Sequence, residues 1–170
     1  MPIHQLNHAV LYVRDVEASV GFYTTVLGFR VVHQGRGAAF VQAPDSTNDH
    51  DLGLFEIGPQ ASDSPAGRSA VGLYHLAWEV DTLAELQRLQ GVLAQAGALA
   101  GQSDHGTSKS LYAKDPDGLE FEVCWLVPAD RVDEAKAGGG GGGVRPLELD
   151  REIERYGAQT RGGVGVSVPA

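Results

Sequence analysis

One order of signals occurs twice along this chain, and that repeat constrains the fold more than anything else in the sequence. An apolar segment, Leu6–Val13, is followed by a helical stripe of Val16, Val20, Tyr23 and Leu27, and then by short strand-like segments near Phe29–His33, Ala38–Gln42 and Asp51–Ile57. Leu73–Val80 begins the order again, with the stripe Leu86, Leu89 and Leu93 and strand-like segments near Leu99–Gly101, Leu111–Lys114 and Glu120–Leu126. Alternation with period 2 marks the strands and spacing of three to four marks the helices. Asp15 offers an N-cap, Thr82 and Glu85 a capping box, and Gly28 and Gly97 the helix stops. The expected fold is α+β, built from two β-α-β-β-β modules with the helices on the outer face.

Composition divides the rest. Residues 1–128 form the body, 129–143 read as a polar and glycine-rich linker, and 144–170 as a tail. Gly138–Gly143 is an unbroken run of six glycines, which as a coil spans about 13 Å. Beyond it Leu149, Ile153 and Tyr156 share one face of a short helix that must dock to be stable, and Gly162–Ala170 reads as a frayed end. Thirteen Lys and Arg against 22 Asp and Glu give a charge of −9, which repels nucleic acid and anionic membranes alike. No stretch has the roughly 18 apolar residues of a membrane helix, and the first residues carry no secretory pattern, so a cytoplasmic location is expected. The lone cysteine, Cys124, can form no internal disulfide. Small-molecule chemistry is the class left open.

Parity along the strands points to where that chemistry sits. Tyr74, Leu76, Trp78 and Val80 make one apolar face and leave His75, Ala77 and Glu79 on the other; Phe121, Val123 and Trp125 leave Glu120, Glu122 and Cys124 opposite. His8 opens the first half as His75 opens the second. Glu56 closes the first half as Glu122 closes the second, at separations of 48 residues (8 to 56) and 47 (75 to 122). Two imidazoles with a carboxylate suit a divalent transition metal that keeps open coordination positions.

These residues resemble the vicinal oxygen chelate superfamily, which includes glyoxalase I, fosfomycin and bleomycin resistance proteins and extradiol ring-cleaving dioxygenases. The likeness covers roughly residues 3–127, and its most specific string is Ser110-Leu-Tyr-Ala-Lys-Asp-Pro-Asp-Gly-Leu-Glu-Phe-Glu-Val123, with the ligand carboxylate four residues after Gly118. The resemblance implies a mixed sheet curled around a metal cup whose ligands are His8, His75 and Glu122. Asn48-Asp-His-Asp-Leu-Gly-Leu-Phe55 is similar to the His-His-containing strand of the extradiol enzymes, with His50 in the acid–base position and Asp49 replacing the first histidine. Tyr112, ten residues before Glu122, and His105, in a His-Gly-Thr-Ser segment, match positions that donate hydrogen bonds to substrate oxygens.

The resemblance implies first a small Fe(II)-dependent extradiol dioxygenase acting on a catechol-like aromatic with O₂. A glyoxalase-type isomerase is the second expectation, with Glu56 as a candidate fourth ligand and Ni or Zn, or Mn, as the metal. The third is a metal-free drug-binding protein of the bleomycin-binding kind, suited to a cationic antibiotic by the acidic charge. Two open sheets carry edges that need covering, so a homodimer is expected. Whether the metal cup lies within one chain or across two is left open by the sequence.

Overall fold

The computed structural model describes residues 3, 5–67, 69–137 and 143–163. Two compact units emerge: Met1–Pro65 with Asp115–Leu119, and Ala66–Lys114 with Glu120–Ala170. Each holds one four-stranded mixed sheet of the same topology.

In the first unit, β1 (Ala9–Val13), α1 (Val16–Thr25), β2 (Arg30–Gly35), β3 (Ala38–Gln42) and β4 (Leu52–Glu56) form a sheet of order β1-β4-β3-β2. β1 runs parallel to β4 and the other pairs are antiparallel. The parallel pair forces the chain to cross over, and α1 is that crossover. Asp15 caps α1 by accepting the N–H groups of Glu17 and Ala18 at 2.9 and 3.0 Å. The stripe Val16, Val20, Tyr23 and Leu27 is buried with Leu11, Val13, Ala39, Val41, Leu52 and Leu54. The turn Asp115–Leu119 belongs to this unit. Asp115 accepts the N–H groups of Asp117 and Leu119, Tyr23 donates to it, and Arg14 binds Asp117. Burial pushes the Asp115 carboxyl and the Tyr23 phenol up. The Asp-Pro-Asp-Gly string therefore has a structural duty, with Gly118 at φ 79° closing the turn.

In the second unit, β5 (Leu76–Glu79), α2 (Leu83–Gln95), β6 (Leu99–Asp104), β7 (Ser108–Lys114) and β8 (Glu120–Leu126) repeat the pattern in the order β5-β8-β7-β6. Leu83, Leu86, Leu89 and Leu93 of α2 are buried with Leu111, Phe121, Val123 and Trp125. Only half of the expected capping box forms. The Thr82 hydroxyl accepts the Glu85 N–H, while the Glu85 carboxylate turns to Arg88. The opening strands are shorter than their apolar runs, so His8 and His75 each stand immediately before a strand rather than in it. Tyr74, expected among the packed residues, is exposed, because β5 has not yet begun there.

The polar stretch after the body departs from a linker over its first part. A 3-10 turn, Ala129–Arg131, leads into α3 (Val132–Ala137). Arg131 donates to the carbonyls of Arg155 and Tyr156 and stacks over the Tyr156 ring at 4.5 Å. It thereby satisfies carbonyls at the end of α4 (Leu149–Tyr156). Five of the six glycines, 138–142, lie outside the described residues, as do residues 164–170. α4 packs on α2, but its buried face is Leu149, Glu152 and Tyr156, with Ile153 half-buried. Gly162 and Gly163, expected in a frayed end, bond to the carbonyls of Asp81 and Leu126. Gly162 must be glycine: a Cβ there would stand 2.4 Å from the Leu126 oxygen. Among the described residues no helix is long and apolar enough to cross a membrane.

Candidate functional site

The helix-free face of the second sheet gathers four of the residues singled out by sequence. Along β8, Phe121, Val123 and Trp125 point to the helices and are no more than 2% exposed, which turns Glu122 to the other face. The register sets Ala77 and Tyr112 on either side of Glu122. His75 Nε2 lies 3.1 Å from Glu122 Oε2, and His75 Nδ1 is buried with no hydrogen-bond partner among the described residues. A buried, unmatched imidazole nitrogen costs about 1–3 kcal/mol. Two ligands each about 2.1 Å from one ion and roughly at right angles stand about 3 Å apart, so this pair has the chemistry and spacing of two neighbouring ligands on one ion. The Tyr112 ring is 5.8 Å from that of His75, and its hydroxyl is 2.8 Å from His105 Nε2. Burial, and then the Glu122 charge, pushes the Tyr112 phenol up, so it stays protonated.

The first unit gathers the other two histidines. His8 is exposed, and its ring stacks on that of His50 at 4.4 Å. Phe40 meets His50 edge-on at 5.0 Å. His8 Nδ1 is 2.8 Å from the side-chain oxygen of Asn7, and His50 Nδ1 is 2.8 Å from Asp49 Oδ2. An ionised carboxylate only accepts, so the His50 Nδ1 carries a proton, and in the neutral ring Nε2 is then the acceptor. That bond holds the Asp49 carboxyl below its usual range. Asp49, which departs from the resembled histidine pair, is thus the group that orients His50.

The pairing of Glu56 with Glu122 is corrected by the register. The residue two beyond each opening histidine is Val10 in one unit and Ala77 in the other, and their partners are Gly53 and Glu122. Gly53 therefore occupies the place of Glu122, and a Cβ there would meet Val10, Phe40 and Phe55 at 3.4–3.5 Å. Glu56 lies on the helix side with Leu52 and Leu54, where its carboxylate accepts the N–H of Val16 at the start of α1 at 3.1 Å. Among the described residues no three His, Cys, Asp or Glu side chains form a group that could hold a metal ion.

The model of the Glyoxalase/Bleomycin resistance protein/Dioxygenase superfamily matches residues 5–123. The chain belongs to that superfamily. It is 35% identical over 124 residues to a catechol-2,3-dioxygenase of Bacillus subtilis, covering 71% of this chain and 42% of that enzyme. It thus spans less than half the length of that relative. It is also 27% identical over 139 residues to the metallothiol transferase FosB of Lysinibacillus sphaericus, covering 80% of this chain and 92% of that protein. Its fold matches a glyoxylase/bleomycin resistance protein/dioxygenase domain from Frankia sp. EAN1pec with a TM-score of 0.59 and 25% identity, over 72% of this chain and 98% of that one.

This superfamily member carries one polar cluster that sequence reasoning missed. Lys109 shares the core parity of Leu111 and Ala113 and is wholly buried. Its Nζ contacts Asp104 Oδ1 at 2.5 Å, Glu152 Oε2 of α4 at 3.0 Å and the Gly106 carbonyl at 3.2 Å. Arg145 adds a contact of 2.9 Å to Asp104 Oδ2. Strand parity was the available signal, but a lysine in a core register is ordinarily read as snorkelling outward. Burial pushes the Asp104 carboxyl up, and the Lys109 bond, the Gly106 N–H and the two cations outweigh it, so the net shift is downward. A depressed carboxyl adds stability above its unfolded value, near 3.9, that is lost as pH falls through the folded value. Asp104→Asn is therefore expected to lower the melting temperature at pH 7, with the deficit against wild type shrinking below about pH 4. Thermal melts from pH 7 to pH 3 check this; a deficit that stays constant with pH would speak against it.

Proposed function

We propose that this protein is a metal-dependent dioxygenase that opens a catechol-type ring, with His75, Glu122 and His8 as metal ligands and His50, Tyr112 and His105 serving the substrate. The observation that carries the reading is the His75–Glu122 pair, its Nε2 and Oε2 3.1 Å apart, bordered by the bonded Tyr112 and His105. His8 joins the ligand set because it stands one residue before β1 as His75 stands before β5. Glu56 is left out, since its carboxylate serves α1.

Bound iron(II) supplies open coordination positions and the one-electron chemistry that joins O₂ to an aromatic ring. His50, its Nδ1 proton held by Asp49, takes a hydroxyl proton of the entering catechol on Nε2 and returns it to the product. His105 in the Nε2–H tautomer donates to the Tyr112 oxygen and leaves the phenol O–H for a substrate oxygen that gains negative charge.

Oxygen uptake on a panel of catechols, after anaerobic loading with Fe(II), tests the reading. One O₂ consumed per ring-opened product, dependent on the metal, is the expected result. No uptake by a chain shown to hold Fe(II) would overturn it. Isomerase chemistry of the glyoxalase kind would then be the next to test.

A further inference from the structure

The helix α4 lies beyond the residues that match the superfamily, yet its Glu152 is buried against a lysine of the strand that bears Tyr112. We propose that α4 is a positioning element for the His105–Tyr112 pair, acting through the chain of contacts Glu152–Lys109–Asp104–Gly106. The inference rests on the reading of His105 and Tyr112 as groups that touch substrate.

Both polar backbone groups of Gly106 are held by this chain. Its N–H donates to Asp104 Oδ1 at 2.8 Å, and its carbonyl accepts from Lys109 Nζ at 3.2 Å. Gly106 has φ 83° and directly follows His105, whose own N–H bonds the Ser108 carbonyl at 2.9 Å. The turn from Asp104 to Lys109 is therefore clamped at both ends by one ammonium group. β7 then carries Lys109 on its helix face and Tyr112 on its open face, so one strand links the buried cation to the phenol. Two cations, Lys109 and Arg145, meet two carboxylates, Asp104 and Glu152. Loss of Glu152 leaves a buried ammonium with too little compensating charge, and it must recruit water or move. The Tyr156 ring, 5.8 Å from Lys109 Nζ, closes the same spot, so α4 supplies both the charge and the cover.

The test is made on the full chain with ¹⁵N-labelled histidine and no substrate. The His105 ring signals are assigned with His105→Gln. Glu152→Gln and the double variant Lys109→Met/Glu152→Leu, which keeps an apolar contact under α4, are compared with Glu154→Gln on the exposed side of the helix. The expected result is a displaced His105 Nε2 signal in the first two and a wild-type spectrum in the third. His105 signals unchanged in Glu152→Gln and in the double variant would overturn the proposal. Trp125 emission, sensitive to the Tyr156 ring 5.4 Å away, reports whether α4 is still docked.

These spectra need no turnover, so they stand whether or not catechols are cleaved. In a chain that does cleave them, Glu152→Gln is expected to lower kcat about tenfold and to have little further effect in a His105→Gln background. Full additivity of the two substitutions would count against action through His105.

Discussion

Glu122→Gln is expected to lower metal affinity by more than about 100-fold, the upper end of what loss of a partner outside the ligand shell costs. The carboxylate oxygen 3.1 Å from His75 Nε2 becomes an amide, a far weaker ligand for a hard divalent cation. Under the proposed function, ring opening is expected to fall with metal occupancy. The fold is expected to survive, because the Glu122 side chain lies on the helix-free face and is 13% exposed, outside the packed core of Leu111, Phe121, Val123 and Trp125. Metal per chain and competition with a chelator, alongside far-UV circular dichroism, provide the check. A variant that keeps wild-type affinity would remove Glu122 from the ligand set. His75→Ala is expected to act in the same direction.

The second large effect is kinetic. His50→Phe is expected to reduce kcat by about 10²–10⁴-fold, the range for loss of a positioned acid–base group. Phenylalanine keeps an aromatic ring against His8 and Phe40 but carries no proton, so metal content is expected to stay at the wild-type level. Asp49→Asn tests the orientation of the imidazole. An amide at that position can also donate, and the preference for a proton on Nδ1 is lost, so a smaller decrease in kcat is expected. A His50→Phe variant with unchanged kcat and full metal would assign the proton transfer to another group.

Glu56 shows where sequence reading reaches its limit. Its distance from His8 matches that of Glu122 from His75 within one residue, and alternation along one strand cannot tell which face is the front. The ladder register decides it: Gly53, not Glu56, stands in the repeat position of Glu122. Glu56 is then drawn to the N-terminus of α1, where N–H groups lack partners. Asp49 is the opposite case. In the sequence it is a departure from a histidine pair, and in the fold it supplies the hydrogen bond that fixes His50.

The sequence by itself determined the doubled β-α-β-β-β order, the apolar stripes of α1 and α2 and the placing of Glu122 on the face opposite Phe121, Val123 and Trp125. Each of these follows from local periodicity and from caps within a few residues. Tertiary structure decided the burial of Lys109, the docking of α4 on Glu152 rather than Ile153, and the duty of Glu56. Those outcomes turn on partners 40 or more residues away, from Lys109 to Glu152 and from Glu56 to Val16. A charged side chain enters a core only when the fold brings it an opposite charge, and no local pattern records that meeting.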